Sequence, residues 1–236
     1  MEIYKGIEIV QEALWIKKEK TLIISDVHLG LEESLQNKGI FVPKQQAKII
    51  IDKLKLILKE VQPKKIIING DLKHDFGKIL KQEWQDITKL INFLSNHCQE
   101  LILIKGNHDN ILGPIANKNK LNVVKYYQIN DILITHGDKK VEISKEIKTI
   151  IIGHEHPAIS LREKSKVEKF KCFLKGKLGK KNLIVMPSLN PLSYGSEITT
   201  ENRFSPLLKD ISNFEVFVIS NEEVLNFGNV KHIKLE

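Results

Sequence analysis

Five short runs of mostly β-branched residues, each leading into a group that can bind a metal, constrain this chain more than any other feature of its sequence. The runs are Thr21 to Ser25, Lys65 to Ile68, Leu101 to Ile104, Ile132 to Thr135 and Thr149 to Ile152. Each is short and largely apolar, so each reads as a buried strand. Helical patterns lie between the early runs. Pro43 opens one at its first turn, with Ile50, Leu54, Ile57 and Leu58 on one face, and Trp84, Ile87, Leu90, Ile91 and Leu94 stripe another. Strand and helix alternate, which makes the first half α/β. From Tyr126 onward strand-like runs follow closely, through Ala158 to Leu161, Phe170 to Leu174, Leu183 to Met186 and Glu215 to Ile219. The second half is therefore mainly sheet. No repeat or linker divides the halves, and the polar groups after the runs straddle the change. The 236 residues are expected to form a single domain of two facing sheets with flanking helices.

The groups after the runs define a candidate site. In chain order they are Asp26-Val27-His28, Asn69-Gly70-Asp71, Gly106-Asn107-His108-Asp109, His136-Gly137-Asp138 and Gly153-His154-Glu155-His156. Ligands of open α/β sheets gather beyond the carboxyl ends of the strands, so these loops can converge on one crevice. Alternation along an extended segment predicts that Asp26 and His28 share a side, and that His154 and His156 do likewise. Gly70, Gly106 and Gly153 are expected to let the backbone turn sharply as it leaves each strand. Imidazole, carboxylate and amide oxygen, without thiolate, suit Mn, Fe, Zn, Co or Ni. Seven such groups are too many for one ion. Two divalent metals sharing a bridging carboxylate would use them all, and such pairs, roughly 3.5 to 4 Å apart, clamp the attacking and leaving oxygens of a phosphoryl displacement. The bland alternative, buried histidines satisfied in a core, would require six of the eight histidines to cluster after strands by accident.

The ordered set D-x-H, GD, GNHD, H and GHxH, spanning Thr21 to His156, resembles that of the calcineurin-like metallophosphoesterases. The resemblance implies a four-layer α/β/β/α sandwich of two mixed sheets between layers of helices. It also implies one metal on Asp26, His28, Asp71 and His156 and another on Asp71, Asn107, His136 and His154, with Asp71 as the bridge and His108 as a catalytic histidine beside the metals. The reaction would be in-line attack by a metal-bridging hydroxide on a phosphate ester, with Mn as the expected metal. Gly70-Asp71-Leu72-Lys73-His74 is similar to the GDLxH variant of the nuclease branch, which would place His74 beside the scissile phosphate. Asp26 to Glu32 and Pro187 to Leu192 resemble the ICC-like predicted phosphoesterases, the group that includes DNA ligase-associated metallophosphoesterases. A phosphodiesterase, with a nuclease as one form, is the favoured reading. The alternatives are a small-molecule phosphomonoesterase or nucleotidase and, more remotely, a non-catalytic metal-binding scaffold, which would be expected to lose ligands that this chain keeps. In the Pro187 to Gly195 loop, Asn190 and Tyr194 are candidate substrate contacts. Asp109 is either an orienting partner of His108 or an exposed loop carboxylate, and Asp138 and Glu155 support the ligands or are solvated.

Composition adds little. The net charge of +8 invites a nucleic-acid partner, yet 35 of the 37 basic residues are lysines, beside heavy Ile and Asn usage, which looks like a proteome-wide bias. Eight lysines fall between Lys164 and Lys181, around an expected turn at Gly176 to Gly179, as a hairpin with a basic face. Cys98 and Cys172, too few for a thiolate zinc site, fit a reducing compartment. Glu2, Lys5 and Glu8 interrupt the start of the chain, and no run approaches membrane-spanning length. A cytoplasmic location without a membrane partner is expected.

Overall fold

A computed structural model describes residues 1–77, 79–112, 116–117, 121–163, 166–199, 202–220 and 223–233. The first sheet contains β1 (Glu2–Tyr4), β2 (Ile7–Val10), β3 (Ala13–Ile16), β4 (Thr21–Ser25), β5 (Lys65–Asn69), β6 (Glu100–Ile104) and β7 (Asn122–Val124), side by side in chain order. Strands β1 to β4 form an antiparallel meander, and β4 to β7 run parallel. The parallel steps require crossovers. Helices α1 (Leu31–Asn37) and α2 (Gln46–Glu60) supply the first, and α3 (Lys81–Ser95) the second.

The second sheet contains β8 (Tyr126–Ile129), β9 (Ile132–Thr135), β10 (Thr149–Ile152), β11 (Pro157–Glu163), β12 (Lys166–Leu178), β13 (Lys181–Val185), β14 (Ser196–Glu197), β15 (Glu215–Ser220) and β16 (Glu223–Asn229). Its order is β14-β11-β12-β13-β10-β9-β8, with β15 also paired to β12 and β16 to β15. Strands β9, β10 and β13 are parallel, so β9 and β10 deliver their ends to the same side.

The period-two rule explains how five apolar runs serve three cores. Leu22, Ile24, Ile66 and Ile68 turn toward Ile50, Leu54 and Ile57 of α2 and Ile87, Leu90 and Leu94 of α3. The intervening Ile23 and Ile67 meet Ile134, Ile151 and Ile184 between the sheets. On the outer face of the second sheet, Leu133, Ile150, Ile152, Leu183 and Val185 are covered by Leu207, Leu208, Ile211 and Phe214. Two facing mixed sheets with helices packed on the first are thus as expected. Among the described residues, the cover of the second sheet is a run of turns rather than an α-helix. Two local expectations shift. Helix α2 begins at Gln46, not at Pro43, because Glu32 Oε1 draws in the backbone N–H groups of Gln45 and Gln46 (2.7 and 2.6 Å). The expected turn at Gly176 is strand, where a Cβ would strike the Phe214 ring, and the chain reverses between β12 and β13 at Gly179 and Lys180. No helix among the described residues is long and apolar enough to cross a membrane.

Candidate active site

The carboxyl ends of β4, β5, β6, β9 and β10 deliver their polar groups to one place, between the edges of the two sheets. A cleft of about 290 Å³ is lined by His28, Asp71, His74, Asn107, His108, His154, His156 and Asn190, with Leu31 and Ser193. Two clusters have donor atoms that all lie within 4.8 Å of one another: Asp26, His28 and His156, and Asp71, His136 and His154. Asp71 touches both, with Oδ2 at 3.6 Å from His28 Nε2 and 3.3 Å from His136 Nε2. Asn107 Oδ1 lies 3.0 Å from His136 Nε2. A further trio, His28, His74 and His108, meets the same distance criterion.

The backbone reaches this arrangement by strain rather than by extension. Asp26, His28, Asp71, His154 and His156 have φ of 54°, 46°, 45°, 64° and 47°, left-handed values that side chains other than Gly rarely adopt. Asp26 and His28 do meet in one cluster, and His154 and His156 both line the cleft, but they lie beyond the ends of β4 and β10 as pairs of left-handed residues with one residue between them, not along an extended strand. The glycines also act differently from expectation. Gly70 is left-handed at 82°, whereas Gly106 and Gly153 serve to leave room. A Cβ would drive Gly70 into His136 Nδ1, Gly106 into Asp71 Oδ1, and Gly153 into Ser25 Oγ and Asp26 Oδ2. Three strand exits are packed directly against the donors.

Electrostatics follow from burial and proximity. Burial alone would raise Asp26, but His156 Nε2 at 3.0 Å, with His136 and His28, outweighs it and holds the carboxyl below its ordinary range. His28 is pushed down to about 3 by burial and by His156, so its ring is neutral. Burial pulls His136 down, yet its hydrogen bond with Asp71 and the charge of Asp26 raise it to about 9. His74 is lowered to about 4 by burial and by His108. His108 Nδ1 donates to the His74 carbonyl, which leaves Nε2 turned toward Asp71 Oδ2 at 3.9 Å. The exposed ring of Phe76 covers His108, with centroids 3.7 Å apart. Sequence reasoning passed over Phe76, whose only signal is an aromatic two residues after His74.

The outer polar groups sort into supports. Asp109 is neither exposed nor hydrogen-bonded to His108. It is buried, and Oδ1 accepts from Leu72 N (3.0 Å) and Lys73 N (3.3 Å) while Oδ2 accepts from Gly106 N (3.0 Å), so it ties the Asp71 loop to the Asn107 loop. Burial and Asp71 push its carboxyl up to about 7. Glu83, also missed, accepts from His74 N (2.9 Å), Asp75 N (3.2 Å) and Leu80 N (3.2 Å) and faces buried Lys73 at 4.0 Å. Glu155 is buried and holds Phe204 N and Ser205 N at 3.0 Å each, whereas partly exposed Asp138 pairs with Lys139 at 3.4 Å. Asn190 lines the cleft, but its amide is committed to the His28 carbonyl (3.4 Å) and Leu192 N (2.9 Å). Tyr194 is 74 % exposed and stands outside the cleft lining, which Ser193 joins instead.

Nuclease MPE from Pseudomonas putida shares the fold at a TM-score of 0.67, with 17% identity over 94% of each chain. Yfce, a phosphoesterase from E. coli, aligns over 89% of this chain and 98% of its own at 11% identity and a TM-score of 0.42. No curated protein gives a significant match. The sequence profile of the calcineurin-like phosphoesterases matches residues 19–219, and the chain belongs to that family.

Proposed function

We propose that this protein is a two-metal phosphodiesterase, of which a nuclease is one form. One observation carries the reading: the Asp71 carboxylate lies against both donor clusters at once. One ion would be held by Asp26, His28, Asp71 and His156, the other by Asp71, Asn107, His136 and His154. The donors fit such ions. His28 Nε2 and His156 Nε2 point at each other across 3.4 Å beside the Asp26 carboxylate, an opposition of ring nitrogens that a shared cation relieves. Nitrogen and oxygen donors without thiolate suit Mn, Fe, Zn, Co or Ni, and Mn is the metal we propose. When bound, such a pair supplies an acidified water near neutral pH and draws off phosphoryl charge.

The protein's own groups do the rest. With Nδ1 tied to the His74 carbonyl, His108 can offer only Nε2 to a substrate. Protonated there, it donates to the leaving oxygen, a role typically worth about 10²- to 10⁴-fold. His74, held neutral, lines the same cleft. A neutral imidazole does not repel a phosphate and places no demand for a terminal dianion, so an esterified oxygen is accepted. Asn190 keeps the far loop in place, and Tyr194 is free to meet the outer ester group. The fold shared with a bacterial nuclease supports the same reaction class. Free Cys98 and Cys172 support a cytoplasmic setting.

The test is hydrolysis of bis-p-nitrophenyl phosphate against p-nitrophenyl phosphate by Mn²⁺-reconstituted protein. The diester is expected to be cleaved at least as well as the monoester. A strong preference for the monoester contradicts the assignment and favours a phosphomonoesterase.

A further inference from the structure

A groove of about 470 Å³ lies beside the metal cleft, and the two share a wall. That wall is the loop after β6: Asn107 and His108 line the cleft, whereas Lys105, Gly106 and Asn110 line the groove. Asn110 Nδ2 donates to the Asn107 carbonyl (3.1 Å), which braces the loop from the groove side. The opposite wall begins at Thr135 and Asp138, on either side of His136. Lys125 closes the end, in the link between β7 and β8 where the edges of the two sheets are joined.

The groove has four lysines on its lining. Lys105, Lys125, Lys139 and Lys140 line it and are exposed, against the two carboxylates Asp138 and Glu142. Lys139 pairs with Asp138, but among the described residues Lys105, Lys125 and Lys140 make no ion pair within 4.0 Å. Tyr126, 53 % exposed, lies among them. The segment from Lys164 to Lys181, expected to carry the basic face, is different. Within its described residues Lys171 donates to the Ser188 and Asn190 carbonyls, Lys169 to Gly195, Lys177 to Asn182 and Lys181 to Ile147. Lys166 pairs with Glu168 and Lys175 with Glu215. Those lysines are each engaged within the chain, Lys180 makes no ion pair within 4.0 Å among the described residues, and Lys164 lies outside them.

We propose that this groove binds the sugar–phosphate backbone of a single-stranded nucleic acid next to the scissile phosphate, an inference that rests on the phosphodiesterase reading. Three unpaired lysines on the lining of a groove that adjoins the cleft offer cations to phosphates that flank the scissile one. A lone exposed aromatic among them offers one face to an unpaired base, the combination that single strands use. The strand enters along the groove and presents its next phosphate over the loop at Asn107.

The test uses full-length, Mn²⁺-loaded His108→Ala protein, in which cleavage is suppressed, and measures anisotropy of a fluorescein-labelled oligothymidylate against NaCl. Replacing Lys105, Lys125 and Lys140 with Gln is expected to reduce the magnitude of the log K against log [salt] slope by about 2, at about 0.7 per neutralised phosphate. Tyr126→Ala should weaken binding roughly tenfold with the slope unchanged. The control, Lys166→Gln/Lys169→Gln, should leave the slope as it is. An unchanged slope in the triple variant, or no binding by the parent, overturns the groove. Bis-p-nitrophenyl phosphate, too short to occupy it, reports separately on the parent reading. Diester hydrolysis by the wild type with an unaltered slope in the triple variant removes the groove alone, whereas absence of diester hydrolysis removes the phosphodiesterase.

Discussion

His108 illustrates how little freedom single residues have in this site. Its Nδ1 is spent on the His74 carbonyl and its ring is covered by Phe76, so Nε2 is its one working atom. It is absent from the two clusters that we assign to metal. His108→Ala should therefore keep its full metal content while kcat falls about 10²-fold or more. Elemental analysis and steady-state kinetics on one preparation check this, and unchanged turnover removes His108 from the mechanism. Much of the residue-level site was legible, because imidazoles and carboxylates are chemically specific and their places after strands are visible in the chain. The left-handed φ of Asp26, His28, Asp71, His154 and His156 was not, since it comes from crowding five loops into one cleft, a tertiary demand without a local sequence signal.

Strands and loops divide the same way. The five central runs become β4, β5, β6, β9 and β10, because a strand covered on both faces must be apolar throughout. Strands β1, β2 and β3 went unread. They are three or four residues each and are placed by pairing in series, β1 on β2, β2 on β3 and β3 on β4, which propensity does not reveal. Asp109 and Glu83 were misjudged or missed for a related reason: a carboxylate in a loop looks solvated until its backbone partners are known. Asp109 accepts three backbone N–H groups from two loops. Asp109→Asn turns an amide donor toward at least one of them. The variant should lose about 2–3 kcal/mol of stability and a larger share of kcat than of metal, since both His74 and His108 hang from these loops. Urea midpoints and kinetics test this, and a variant with wild-type stability would show that the tie is dispensable.

At the scale of the molecule, the core between the sheets joins Ile23 and Ile67 to Ile134, Ile151 and Ile184, and the ligands we propose come from loops after strands of both sheets. We propose that all 236 residues fold as one domain and that metal binding stabilises the whole. Stripping with a chelator should lower a single thermal transition by about 5–10 °C, the effect of losing a ligand present at some 100 times its Kd, and Mn²⁺ should restore it. Two separate transitions, or a midpoint indifferent to metal, would oppose this. The central claim is that one carboxylate, Asp71, serves two ions. Its most direct test is the metal content of Mn²⁺-saturated wild type and Asp71→Asn by elemental analysis after exhaustive dialysis. Two ions per chain are expected in the wild type, with weakened occupancy of both sites in the variant; a single ion in the wild type, or two retained by the variant, would contradict a bridging Asp71.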